Sequence, residues 1–139
     1  MIKVLTNRIR RQTMSYTVTH NKNTNCILVS IEGELNLPLF VEMAKEVAHY
    51  FKEYGCRHVL NDLRHARLVE SITDIYTMPK HASKIGITSS VKRALVVSGS
   101  FEEFHFLETV FVNQGNMVKM FNNINDAQQW LQSEAPHSY

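Results

Sequence analysis

The sequence predicts a single α/β domain: a five-stranded mixed sheet with an N-terminal hairpin and about four helices packed against it. Three observations carry that prediction. The chain has 139 residues, 44% of them hydrophobic and 20% charged, the size and balance of one globular domain that buries about 70% of its unfolded surface without a metal or disulfide staple. Two alternating apolar-polar segments near the start are separated by a polar turn, which reads as an antiparallel hairpin. From Leu37 onward, helical and strand patterns alternate, as in α/β sheets with largely parallel strands.

Each element has its own justification. Ser15 to His20 is β-rich and places Tyr16 and Val18 on one face. Asn21-Lys22-Asn23-Thr24-Asn25 is a cluster of turn residues. Cys26 to Gly33 alternates again, with Ile27, Val29 and Ile31 together. Leu37-Pro38 then opens a helix, since proline is tolerated in a first turn, with Asn36 as its N-cap. Phe40, Met43, Ala44, Val47, Tyr50 and Phe51 form its apolar stripe, and Gly55 is placed to end it in a left-handed cap.

Arg57 to Leu63 is a short third strand, so that strand, helix and strand imply a parallel crossover. Ile72 to Ile85 is a second helix, with Ile72, Ile75, Tyr76, His81 or Ala82, and Ile85 in rough period, and with Pro79 expected to kink or split it. Val91 to Val97 is a fourth strand entering the core. Ser98-Gly99-Ser100 supplies a loop and an N-cap. Phe101 to Asn113 is a third helix whose apolar face is Phe104, Leu107, Val110 and Phe111, widened by Phe101 and Phe106. Gly115 ends it, Met117 to Phe121 is the fifth strand, and Asn123 to Ser133 the last helix, with Ile124, Ala127, Trp130 and Leu131 inward. Residues 14–134 thus form the domain, between a basic arm at 1–13 (Lys3, Arg8, Arg10 and Arg11) and a tail at 135–139.

The residues argue against most enzyme classes. There are five glycines and no GxGxxG or GxxxxGK[ST] motif, so no phosphate-cradling loop is encoded. GxSxG is absent. Cys56 follows Gly55 at a helix end, where the dipole disfavours a thiolate. The seven histidines are scattered, with no HExxH and at most His58 and His65, which flank the third strand, near one another, so no metal site is expected. The Asn61-Asp62-Leu63-Arg64-His65-Ala66-Arg67 cluster is expected at the C-terminal end of a central parallel strand, where α/β sheets place ligands. Asp62, Arg64 and His65 are therefore candidate ligand-binding residues, against a local Asp–Arg salt bridge as the plainer reading.

The formal charge of +2 gives no field that would recruit nucleic acid. Cys26 and Cys56 lie in apolar surroundings without a CxxC, as buried thiols of a reducing compartment. No apolar h-region follows the basic start and no run reaches the roughly 18 apolar residues of a membrane span, so a cytoplasmic protein is expected.

Several local patterns, in order, point to a family. They are Ile31-Glu32-Gly33-Glu34-Leu35, Val59-Leu60-Asn61-Asp62-Leu63-Arg64, Lys92-Arg93-Ala94-Leu95-Val96-Val97, and the closing Met117-Val118-Lys119-Met120-Phe121 followed by Asp126-Ala127-Gln128-Gln129-Trp130-Leu131. Over roughly Ser15 to Leu131 the chain resembles the STAS fold, the sulphate transporter and anti-sigma-factor antagonist domain, and more closely the SpoIIAA-like bacterial family of small stand-alone proteins. In the antagonists, a serine opening the helix after the third strand is phosphorylated by a partner kinase, usually within Asp-Ser-Ser/Thr-Gly. The matching segment here is Glu70-Ser71-Ile72-Thr73. The resemblance makes Ser71 the candidate phosphoacceptor, although the second hydroxyl and the glycine do not match.

Two functions stay open at this stage. One is a non-enzymatic regulatory module acting through a protein partner, without cofactor. The other is a carrier of a small apolar or lipid-like ligand, in contact with a membrane surface, that uses Tyr76, Phe104, Phe106 and Phe111. The resemblance also implies an apolar cavity between helices and sheet. A homodimer is compatible with the sheet edge that the hairpin leaves.

Overall fold

The computed structural model describes residues 14–98 and 101–133. The basic arm, the C-terminal tail, and Gly99 and Ser100 of the loop before the third helix lie outside the described residues. Nine elements follow in the order β1 (Met14–Asn21), β2 (Cys26–Leu35), α1 (Leu37–Tyr54), β3 (His58–Leu68), α2 (Ile72–Ile85), β4 (Lys92–Val96), α3 (Phe101–Asn113), β5 (Met117–Phe121) and α4 (Ile124–Gln132). The strands pair in sequence order, β1-β2-β3-β4-β5. The β1–β2 hairpin is antiparallel and every later pair is parallel, as the alternation of elements requires.

Local chemistry sets the helix ends. Asn36 accepts from Leu39 N at 3.0 Å and Pro38 occupies the first turn of α1. Gly55 closes that helix at φ 65° and ψ 28°, a conformation that glycine alone adopts without strain from a Cβ. Ser71 caps α2 by accepting from Asp74 N at 3.1 Å, and Asn123 caps α4 by accepting from Asp126 N at 2.8 Å. Pro79 is buried inside α2, which runs unbroken from Ile72 to Ile85, so the proline does not split it.

The sheet is covered unequally. On one face Met43, Val47 and Phe51 of α1, Met78 and Ala82 of α2, and Phe104, Leu107 and Phe111 of α3 pack on Ile27, Val29, Val59, Leu63, Leu95 and Val118. On the other face Ala127 and Leu131 of α4 cover Cys26, Leu60, Ala94 and Val96. Side chains alternate across a strand, so each central strand feeds both cores.

Two expectations are corrected here. The third strand runs to Leu68 rather than stopping at Leu63. A bulge opposite Ser30 and Glu32 lets β3 continue, with Asp62 facing Ser30 and His65 facing Glu32. It reverses the alternation: Val59 and Leu63 before it, and Ala66 and Leu68 after it, all enter the same core. The buried face of α2 is also rotated from the expected one. Ile75, Met78, Pro79 and Ala82 are inside, whereas Ile72 is 64% and Tyr76 54% exposed.

Candidate functional site

Two places combine unusual polarity with apolar surface. The first surrounds the start of α2. Glu70, the residue before the Ser71 cap, accepts from Leu37 N at 2.7 Å and from Ser71 N at 3.1 Å. One carboxylate thereby satisfies backbone donors at the starts of both α1 and α2, groups that have no partner within their own helices. The bond from Leu37 holds Glu70 below the usual carboxylate pKa, while hydrogen bonding to Glu70 raises that of Asp74. Ser71 is exposed between these two acids.

Around this polar knot lie Val69, Ile72 and Tyr76, all exposed. Ile72 and Tyr76 are four residues apart on one helix and share a face. The Tyr76 ring meets Phe106 of α3 edge-on, with ring centres 5.8 Å apart and planes at 85°. Aromatic and aliphatic side chains thus extend across α2 and α3 beside the Ser71 hydroxyl.

The second place is a half-enclosed cavity of about 80 Å³ between α1, α3 and the sheet. Phe40, Met43, Ala44 and Val47 of α1, Leu107 and Phe111 of α3, and Ile31, Leu63, Leu95 and Val118 of the sheet line it, together with Asn61 and Arg93. Arg93 is only 7% exposed. Its guanidinium lies 5.2 Å from the centre of the Phe111 ring. Its Nη2 donates to Asn116 Oδ1 at 2.5 Å and to the Thr88 carbonyl at 3.4 Å, and Nε has no hydrogen-bond partner. Burial lowers its pKa to about 10.

The residues singled out from sequence separate between these places. Asp62 and Arg64 are joined as the plainer reading had it: Arg64 Nε and Nη2 donate to the two carboxylate oxygens, each at 2.9 Å, and these bonds lower the Asp62 pKa. The cluster is not at the strand's C-terminal end, because the bulge carries β3 four residues past Arg64. His65 stands one position on, in register with Glu32. His58 and His65 occupy opposite parts of β3, separated by about 23 Å at the rise of an extended strand, and are not neighbours. Among the described residues no group of three or more histidines, cysteines, aspartates or glutamates is placed to hold a metal.

Of the four aromatic residues expected around a ligand, Phe111 lines the cavity. Phe104 is fully buried in the main core, and exposed Tyr76 meets half-buried Phe106 edge-on. The residue that sequence reasoning missed is Arg93. The available signal was Lys92-Arg93 at the start of an otherwise apolar strand: adjacent residues point to opposite faces, so in a strand covered on both sides each must enter a core.

No family model and no curated protein matches this chain. Solved structures do. An anti-sigma factor antagonist from Mycobacterium paratuberculosis superposes with a TM-score of 0.59 at 11% identity, over 87% of this chain and 96% of that one. An uncharacterised protein with a SpoIIAA-like fold from Shewanella loihica superposes with a TM-score of 0.55 at 17% identity, over 86% of this chain and 94% of the other. The chain has the STAS, SpoIIAA-like fold. No helix among the described residues is long and apolar enough to cross a membrane.

Proposed function

We propose that this chain is a non-enzymatic regulatory module of the cytoplasm that works by docking a protein partner on the surface around the start of α2. One observation carries the reading. Val69, Ile72 and Tyr76 expose apolar surface beside a capping serine, with half-buried Phe106 against Tyr76, at the helix that follows the third strand. Exposed apolar side chains grouped in this way are characteristic of interaction sites. Support also comes from the fold, which is that of a protein described as an anti-sigma factor antagonist. Ser71 is the proposed point of control. A phosphate there adds a charge of about −1.5 to −2 between Glu70 and Asp74, which repels both acids and alters the surface a partner meets.

The test compares wild type with an Ile72→Asp/Tyr76→Asp double variant, each as affinity bait in cells of the source organism, followed by reconstitution with the purified partner. A partner held by wild type and at least ten-fold weaker on the double variant supports the reading. Equal affinity for both baits would sink it. A Ser71→Ala variant that retains binding, and loses phosphate incorporation in cells, tests the control point separately.

A second reading, a carrier of a small apolar ligand, draws on the cavity beneath α1. Its walls are almost wholly aliphatic and aromatic, the lining expected of a small-molecule site.

A further inference from the structure

We infer that Arg93 turns the cavity beneath α1 into a site for a short-chain monocarboxylate, with the carboxylate on Arg93 Nε and the alkyl chain among the side chains of α1 and α3. The inference rests on the carrier reading and gives it a ligand class.

The argument begins with charge. Arginine stays protonated in proteins, and a buried cation without a counter-ion is strongly unfavourable. The two acceptors that Arg93 has, the Asn116 side-chain oxygen and the Thr88 carbonyl, are both neutral. Among the described residues no carboxylate forms an ion pair with it. Nε is buried and unpartnered, which leaves the desolvation of one donor uncompensated. An anion in the cavity supplies both the missing charge and the missing acceptor, through a charge-assisted hydrogen bond.

Charge selects the anion. One buried cation without a carboxylate partner among the described residues matches a singly charged head group. A phosphate monoester carries a charge of about −1.5 to −2 and three strong acceptor oxygens, more than this site can neutralise. Volume selects the tail. The cavity of about 80 Å³ is near half of the roughly 150 Å³ that accommodates benzene in an engineered protein core. Half the volume that holds the six carbons of benzene leaves room for a carboxylate with a tail of only about one or two carbons.

The experiment titrates the full-length, nitrogen-15-labelled protein with formate, acetate and propionate, and with the alcohols of the same chain lengths. NMR follows the side-chain Nε–H of Arg93. The acids should bind about four-fold more tightly for each added methylene, the factor expected for burying a CH₂ group. They should shift the Arg93 Nε–H resonance and exceed the matched alcohols at least ten-fold. Arg93→Met should bring acid affinity down to that of the alcohol. Acids and alcohols binding alike with Nε–H unmoved would overturn the Arg93 inference while leaving the carrier reading intact. Binding of neither class would overturn both. Should Arg93→Met fail to fold, Ala44→Leu, which fills the cavity from α1, decides the matter: acid binding must disappear, and its persistence would place the site elsewhere and overturn the inference.

Discussion

Lys92 is the partner of Arg93 on the opposite face of β4, and its replacement by methionine is the sharpest test of how α4 is held. The lysine is 5% exposed. Its ammonium donates to the Trp130 carbonyl at 2.6 Å, to the Ser133 carbonyl at 3.2 Å and to Ser133 Oγ at 3.3 Å, and it stands 4.6 Å from the centre of the Trp130 ring. A cation at a helix C-terminus opposes the negative end of the dipole, by about 0.3–1 kcal/mol and up to about 2 when partly buried. Hydrogen bonds from a charged donor contribute about 1.5–3 kcal/mol net, and the ring contact about 0.5–1. Against these stands the desolvation of the ammonium, which methionine relieves. The Trp130 carbonyl also keeps its bonds from Ser133 N at 3.1 Å and Ser133 Oγ at 2.9 Å, so it is not orphaned. Balancing these effects, Lys92→Met should destabilise the fold by about 2 kcal/mol. For a domain of this size that is a fall in Tm of roughly 8 °C and in urea midpoint of about 1 M. Circular dichroism melts and urea titrations measure both, and the urea m-value should stay unchanged because the surface exposed on unfolding is the same. A midpoint equal to or above that of wild type would refute the reasoning, and would mean that α4 docks through its apolar face alone.

Three further outcomes follow from the geometry. Asp62→Asn removes the charge and one of the two acceptor oxygens that Arg64 uses to lower the Asp62 pKa; a depressed folded-state pKa contributes stability above the unfolded aspartate value of about 3.9 and loses it as pH falls through the folded value. The variant should therefore melt a few degrees lower at pH 7, and the two melting curves should converge well below pH 4. Gly55→Ala places a Cβ in a left-handed conformation with nothing within 4 Å to clash with it, so the loss should be the backbone strain alone, about 1 kcal/mol, with Gly55→Asn losing less by chemical denaturation. Asn36→Ala deletes the bond to Leu39 N and should lower stability by about 1 kcal/mol, with faster amide exchange confined to the first turn of α1.

The element order was legible because each signal was local. Asn36, Pro38 and Gly55 mark α1, and the limits of α2, α3 and β5 follow from where apolar periodicity starts and ends. What escaped was long-range in origin. β3 looked finished at Leu63 because the bulge puts Arg64 and His65, two exposed residues in succession, into a strand, which breaks the period of two. In α2, Ile72 and Tyr76 keep the same helical spacing as Ile75, Met78 and Ala82. Only the positions of α1 and α3 decide which stripe turns inward. The Ser71 cap was readable from its hydroxyl and the acid three residues on. The reach of Glu70 to Leu37, across 33 positions of chain, was not. Arg93 escaped for a related reason: a basic residue at a strand start reads as solvent-facing until the neighbours that enclose it are known.

The unequal covering of the sheet has a chemical consequence. Cys26 belongs to the small core that α4 closes, and Cys56 to the large core beneath the other three helices. Burial pushes the Cys26 thiol up to about 12 and raises that of Cys56 as well, so neither reacts appreciably while its core is shut. A nine-residue helix has little stability of its own, and its detachment would bare Cys26. The rates at which an alkylating reagent modifies the two thiols therefore show whether the two sides of the sheet open together or separately.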